Sequence, residues 1–92
     1  MVNRKANILV VDDHALFRRG LKDILSECPD VGRIDEAGSG AEALAKFEAG
    51  RYDCVLLDIF MPGENGIEVI RRMTAIRADA HCLVLSMYPL EQ

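Results

Sequence analysis

The sequence has no apolar run near the ~20 residues that a membrane-spanning helix requires. Residues 8–11 and 54–57 form plain apolar runs, but each contains only four residues. The residues before the first run include no hydrophobic segment of the kind found in signal peptides. These absences predict a cytoplasmic protein that does not contact a membrane.

Cysteine is scarce, and its spacing matches no metal or redox motif. Cys28, Cys54 and Cys82 are odd in number and form no C-x-x-C pair, the spacing that zinc and thiol-redox sites use. We therefore expect all three to be buried, reduced thiols.

Positive charge is also in short supply. The 11 Lys and Arg residues are outnumbered by 15 Asp and Glu residues, which gives a net charge of −4. A nucleic-acid surface needs clustered Lys and Arg to replace the counterions of phosphate, and the basic residues of this chain are scattered. Any contact with DNA is therefore expected through a part of the protein outside this chain.

The composition is otherwise that of a globular protein. Half of the residues are hydrophobic and 28% are charged, unlike the profile of a disordered chain. A chain of 92 residues has room for one domain, and no linker, repeat or low-complexity segment divides it. We predict a single domain over residues 1–92.

Short apolar strands alternate with amphipathic helices along the chain. Residues 8–11 form the first predicted strand, because they are an apolar run that ends abruptly in acid. Residues 34–37 form the second. The helix between them ends at Pro29, and its predicted apolar stripe consists of Phe17, Leu21, Ile24, Leu25 and Cys28.

Predicted strands and helices continue to alternate through the second half of the chain. Ser39 and Glu42 fit a capping box that opens a helix, and Gly50 is a natural stop for it. Residues 54–57 and 82–85 are the third and fourth predicted strands. The helix between these strands has a predicted apolar face of Ile67, Ile70 and Met73.

Alternating strands and helices at this spacing predict an α/β fold. The expected architecture is a doubly wound parallel sheet with right-handed crossovers and helices on both faces.

Polar side chains stand where three of the predicted strands end. Asp12 and Asp13 follow the first strand, Asp58 follows the third, and Ser86 follows the fourth. The carboxyl ends of parallel strands share one edge of the sheet, where ligands bind. Three converging carboxylates repel one another unless a proton or a cation intervenes. Oxygen ligands suit Mg²⁺, which often also binds phosphate, so the pattern predicts a Mg²⁺-dependent phosphate site.

Three segments of the chain resemble the receiver domains of two-component response regulators. They are residues 8–14 (ILVVDDH), residues 57–62 (LDIFMP) with Asn65 and Gly66 after them, and residues 83–86 (LVLS). An isolated Asp-Asp pair is more often a helix cap, but the three segments together are specific.

The resemblance implies a role for each residue of the predicted site. Asp58 would be the phosphoacceptor and a metal ligand, Asp13 would bind Mg²⁺ directly, and Asp12 would assist, often through water. The backbone carbonyl of Phe60 would be the third protein ligand. Ser86 would be the hydroxyl residue that senses the phosphoryl group.

The resemblance also implies a mechanism and a partner. Asp58 would attack the phosphorus of a phosphohistidine on a sensor histidine kinase, while Mg²⁺ offsets the charge on the transferring oxygens. The protein would thus be a phosphoacceptor that assists its own reaction and not an enzyme in the ordinary sense. His14 is predicted to have a surface or helix-start role and no role as a ligand.

Residues 13–21, together with Ser86 and Met87, resemble the NarL/FixJ branch of the family. Members of that branch carry a C-terminal LuxR-type helix-turn-helix, so the expected output is DNA binding by a domain outside this chain.

The chain departs from the family at its end. Receivers have the CheY-like, flavodoxin-like sheet, so the four strands of this chain are expected in the order 2-1-3-4, with the family's fifth strand, its lysine and the last helix missing. None of Lys5, Lys22 and Lys46 is placed to replace that lysine. An unpaired sheet edge predicts a homo-oligomer formed by edge pairing or segment exchange.

Three alternatives compete with the receiver. A phosphatase of the haloacid dehalogenase type needs a second Asp two residues after its nucleophile, where this chain has Phe60. A flavin-binding domain needs a phosphate-cradling loop after the first strand, where this chain has acid. A receiver fold that acts by protein contact without phosphorylation stays open.

Overall fold

The computed structural model describes residues 5–58, 61 and 65–85. Strands and helices alternate along these residues, beginning with a strand. The strands are β1 (Ala6–Val11), β2 (Val31–Ala37), β3 (Cys54–Asp58) and β4 (His81–Leu85), and the helices are α1 (Ala15–Leu25), α2 (Gly40–Ala49) and α3 (Gly66–Ile76).

The four strands form one parallel sheet in the order β2-β1-β3-β4. This confirms the predicted α/β class and strand order. Because every strand runs in the same direction, the carboxyl ends of β1 and β3 lie side by side, with Val11 paired to Leu57. The residues that follow this pair are therefore neighbours across the sheet edge.

The sheet carries a hydrophobic cluster on each face. On one face, Leu9 and Leu57 pack with Phe47 of α2 and Met73 of α3, and Met61 joins the same cluster. On the other face, the members are Ile8, Val10, Ile34 and Leu56, with Leu21 and Leu25 of α1 packed against them. Apolar side chains of β1 are thus buried in both directions, which explains why the strand reads as an unbroken apolar run.

The predicted stripe of α1 is wrong at two positions. The helix ends at Leu25, so Cys28 lies beyond it in a turn and is exposed, contrary to its predicted burial. Ile24 is also exposed, because Leu21 and Leu25 make the contact with the sheet and Ile24 lies about 100° around the helix from Leu25.

The other two cysteines are half-buried and lie on opposite faces of the sheet. Cys54 packs with the cluster beneath α1, and Cys82 packs with the cluster beneath α2 and α3. Burial raises the pKa of both thiols, which favours their protonated form. Both are free, and the sheet between them prevents a disulfide.

Side-chain caps begin two of the helices. Ser39 Oγ accepts the backbone N–H of Glu42, as predicted, while the Glu42 carboxylate accepts the N–H of Gly38. Asn65 caps α3 by accepting the N–H groups of Ile67 and Glu68. These caps hold α2 and α3 in place beside the carboxyl edge of the sheet.

The predicted apolar face of α3 needs one correction. Ile67 is exposed, and Val69 takes its place in the core together with Met73 and the partly buried Ile70. The cap at Asn65 sets the rotation of the first turn, which directs Ile67 away from the sheet. In the part of the chain that the structure describes, no helix has the length and apolar character needed to cross a membrane.

Tyr52 and Asp35 form a hydrogen bond that makes stability depend on pH. Burial, and then the Asp35 carboxylate, raise the pKa of Tyr52 to about 12. Burial alone would raise the pKa of Asp35, but hydrogen bonds from Tyr52 and Arg33 outweigh it, so that pKa is lowered. The bond therefore contributes fully between the ordinary pKa values of the two groups, 3.8 and 10.0.

We expect Tyr52→Phe to lower the free energy of unfolding by about 1.5–3 kcal/mol at neutral pH, since a hydrogen bond to a charged acceptor is lost and the ring is kept. The difference from the unmodified chain should shrink as pH falls through the lowered pKa of Asp35, and also as it rises from 10.0 to about 12. Urea unfolding of the Tyr52→Phe variant and of the unmodified chain across this pH range measures the difference in their free energy of unfolding. An equal difference at every pH would contradict the assignment.

Candidate metal centre

Two buried carboxylates lie side by side at the carboxyl edge of the sheet. Asp12 directly follows β1, and Asp58 is the last residue of the neighbouring β3. Each is only 1% exposed. Burial of two like charges in adjacent positions is costly unless a cation or a proton compensates them.

Four side chains converge at this point. Asp12, Asp13, His14 and Asp58 each offer one ligand atom, and these atoms all lie within 4.8 Å of one another. Asp13 and His14 are exposed, so the cluster opens to solvent on one side while Asp12 and Asp58 form its buried floor. The arrangement has the shape of a shallow, open cation site.

The Asp12 carboxylate is only partly satisfied by the chain. Its Oδ1 accepts the backbone N–H of His14 at 2.7 Å. Its Oδ2 is buried and has no hydrogen-bond partner in the part of the chain that the structure describes. A buried carboxylate oxygen without a partner, on a side chain that belongs to this cluster, indicates that the atom is held for a ligand.

Arg18 fixes the backbone that carries the acid pair. Its guanidinium donates from Nη1 to the backbone carbonyl of Asp12 and from Nε to Glu36 at 3.1 Å. The N–H of Asp12 donates to the carbonyl of Ala37 at 3.1 Å, and Lys22 lies 3.8 Å from Glu36. Helix α1 and strand β2 therefore jointly hold the turn at Asp12, a role for Arg18 that the sequence pattern did not reveal.

His14 is closer to the site than predicted. It is the first residue before α1, as expected, but its side chain makes no capping hydrogen bond. Its Nδ1 instead lies 3.2 Å from Asp12 Oδ1 and 3.1 Å from Asp13 Oδ1. Its position directly after the acid pair was the only available signal, and that signal does not specify which way the imidazole points.

The donor set fits a divalent cation. Mg²⁺ binds through one or two carboxylates and keeps water or phosphate in its other positions, and Asp12, Asp13 and Asp58 each offer one carboxylate oxygen to such a set. Asp12, Asp13 and Asp58 are the residues that would hold the ion. The predicted sites at Phe60 and Ser86 lie outside the described residues.

Comparison with known proteins gives one consistent family. Residues 8–91 match the response regulator receiver domain. The chain is 41% identical over 85 residues to the DNA-binding transcriptional activator DevR/DosR of Mycobacterium tuberculosis, covering 92% of this chain and 39% of that protein. It is 34% identical over 82 residues to the nitrate/nitrite response regulator NarL of Escherichia coli, covering 89% and 38%. The chain thus spans about two fifths of the length of these relatives.

Solved structures agree with the sequence relatives. The response regulator TrrA of Thermotoga maritima, in complex with Mg²⁺-BeF, is 44% identical with a TM-score of 0.82, covering 90% of this chain and 70% of that one. TrrA in complex with the histidine kinase ThkA gives a TM-score of 0.81 at the same identity, covering 92% and 72%.

Proposed function

This chain belongs to the response regulator receiver domain family, and we propose that it accepts a phosphoryl group on Asp58 from a sensor histidine kinase. The family is a signalling module of two-component systems, and the relatives of this chain include transcriptional regulators. The observation that carries the proposal is the buried Asp58 carboxylate, which lies beside the buried carboxylate of Asp12. The Oδ2 atom of Asp12 has no hydrogen-bond partner among the described residues.

Burial and position suit Asp58 to act as the nucleophile. A carboxylate oxygen of Asp58 forms a bond to phosphorus as the bond from phosphorus to the donor histidine nitrogen breaks, and that nitrogen keeps the electron pair. Asp12 and Asp13 would hold Mg²⁺, which offsets negative charge on the transferring oxygens when it is bound. Arg18 keeps the acid pair in place during transfer by holding the Asp12 carbonyl.

The kinase is the proposed partner on two grounds. TrrA, which is similar to this chain, forms a complex with the histidine kinase ThkA. In addition, Leu16 in the first turn of α1 is 86% exposed, two residues after His14 of the acidic cluster. A partner that reaches Asp58 would pass close to this side chain, so we expect Leu16 to contact it.

Three further roles belong to the proposal. Phe60 contributes its backbone carbonyl to the ion, and Ser86 senses the phosphoryl group through its hydroxyl. The output is DNA binding by a C-terminal domain, as the activator DevR/DosR suggests. Self-association through the edge strand β4, where Leu83 and Val84 are exposed, stays a prediction.

Phosphorylation by a small donor tests the proposal without the kinase. The chain is incubated with an acyl phosphate and Mg²⁺, and its intact mass is measured. We expect a single phosphoryl adduct that requires Mg²⁺ and disappears when a chelator is added before the donor. An unchanged mass in the presence of Mg²⁺ would instead favour a receiver fold that acts by protein contact alone.

A further inference from the structure

Arg18 links the acid pair to a carboxylate outside the acidic cluster. Its Nη1 donates to the backbone carbonyl of Asp12, and its Nε donates to Glu36 Oε1 at 3.1 Å. The Arg18 side chain is 17% exposed and the Glu36 side chain 28%, so water screens this ion pair less than one at an open surface. Glu36 is not one of the four side chains that converge at the sheet edge, and its carboxylate reaches the site through Arg18.

The carbonyl that Arg18 holds belongs to the peptide unit between Asp12 and Asp13. Because a peptide unit is planar and moves as one piece, fixing its carbonyl limits the directions in which both carboxylates leave the backbone. The N–H of Asp12 donates to the carbonyl of Ala37 at 3.1 Å, which holds the preceding peptide unit. Both peptide units around Asp12 are thus held by groups outside the cluster.

Glu36 is itself held in place, and it orients Arg18. Its backbone carbonyl accepts a hydrogen bond from Lys46 Nζ of α2, and Val10 of β1 pairs with it in the sheet. The donors of a guanidinium form a rigid, planar fork, so the bond from Nε to Glu36 also sets the direction of Nη1. The acceptor on Glu36 therefore favours the orientation in which Arg18 reaches the Asp12 carbonyl.

We propose that Glu36, acting through Arg18, is a positioning residue that strengthens the binding of a divalent cation by the acid pair. The inference deepens the proposed function and rests on it, because Asp12 and Asp13 would hold the ion that phosphoryl transfer requires. Groups that orient metal ligands without touching the metal typically change its affinity by about 10- to 100-fold.

Charge and position predict opposite effects for Arg18. The guanidinium is positive, so by charge alone its removal would tighten the binding of a cation at the neighbouring acid pair. Removal of its two hydrogen bonds instead frees the turn at Asp12 and weakens that binding. The sign of the change therefore separates positioning from charge.

Calorimetric titration with Mg²⁺ measures this sign, at a temperature at which circular dichroism shows every variant folded. Arg18→Met keeps an unbranched apolar side chain and removes the guanidinium. We expect it to raise the dissociation constant of Mg²⁺ at least about 10-fold. Tighter or unchanged Mg²⁺ binding would overturn the proposal.

Two substitutions of equal charge test the remote end of the link. In Glu36→Gln the amide oxygen can still accept from Arg18 Nε, whereas Glu36→Leu has no acceptor. We expect Glu36→Leu to raise the dissociation constant of Mg²⁺ about 10-fold and Glu36→Gln to change it less than about 3-fold. Glu27→Gln, in the exposed turn after α1, is the control for lost charge and should leave the affinity unchanged. Equal affinities in the two Glu36 variants, or an equal loss in Glu27→Gln, would refute the link.

Amide hydrogen exchange provides a readout that needs no metal. The N–H of His14 donates to Asp12 Oδ1 at 2.7 Å, so its exchange rate reports how firmly the turn is held. We expect this rate to rise at least about 10-fold in Arg18→Met and Glu36→Leu, and less than about 3-fold in Glu36→Gln. An unchanged rate in the first two variants would contradict the positioning role. Phosphorylation of the unmodified chain is measured separately, and its failure would sink the proposed function without altering the exchange result.

Discussion

Asp58→Asn should abolish phosphoryl uptake, lowering its rate by more than about 1000-fold, as expected when the nucleophile itself is removed. The amide has almost the same shape as the carboxylate, so the buried position at the end of β3 is still filled. It is a poor nucleophile, however, and brings no negative charge to the metal site. Intact mass after incubation with Mg²⁺ and an acyl phosphate gives the result directly.

Asp79→Asn is a suitable control for that experiment. Asp79 is exposed in the turn between α3 and β4, at the edge of the sheet opposite the acid cluster. This variant loses the same charge and should be phosphorylated like the unmodified chain. If Asp58→Asn took up a phosphoryl group at the rate of the unmodified chain, another residue would be the acceptor and the proposal would be refuted.

Asp12→Asn should stabilise the chain in the absence of Mg²⁺ and remove the stabilisation that Mg²⁺ provides. The substitution removes one of two adjacent buried charges, so it relieves the repulsion from Asp58 and the cost of burying a carboxylate, for which we expect a gain of about 1–3 kcal/mol. Its amide oxygen can still accept the N–H of His14. Fold stability would rise while function is lost.

Urea unfolding with a chelator and with Mg²⁺ measures both effects. The unmodified chain should gain about 2.7 kcal/mol when Mg²⁺ is at 100 times its dissociation constant, whereas Asp12→Asn should gain little. Asp13→Asn is the graded control, since Asp13 is exposed and its repulsion is screened by water. A chelator-treated Asp12→Asn chain less stable than the unmodified one would contradict the account of the buried charge.

The α/β class and the two central strands could be predicted from the sequence pattern, whereas the order 2-1-3-4 was implied by the resemblance to receiver domains. Residues 8–11 and 54–57 are apolar on both sides, and only central strands of a covered parallel sheet need that pattern. The acids that follow them then had to meet at one edge. The adjacency of Asp12 and Asp58 follows from this topology without knowledge of any side-chain contact.

The start of β2 could not be predicted from hydrophobicity. This strand begins at Val31, three residues before the predicted start, because it is an edge strand whose Gly32 and Arg33 face solvent. Its first residues are held by the pairing of Val31 with Ala6 of β1 and by the Asn7 side chain, whose Oδ1 accepts the backbone N–H of Arg33 at 3.1 Å.

Side-chain directions were likewise beyond the sequence pattern. The exposure of Ile67 depends on the cap at Asn65, and the contact of His14 with the carboxylates depends on a rotamer at the start of α1. Arg18 spans from α1 to both Asp12 and Glu36, residues that are distant from each other in the chain. Helical spacing places such a residue on a face but does not specify the groups it reaches.

The central claim, that Asp58 is the phosphoacceptor, is tested most directly by locating the phosphoryl group. The chain is phosphorylated with Mg²⁺ and an acyl phosphate, the acyl phosphate bond on the protein is reduced with borohydride, and peptides are sequenced by tandem mass spectrometry. The account predicts reduction of the Asp58 side chain alone. Reduction at Asp12 or Asp13, or a phosphoryl group on His14, would contradict it.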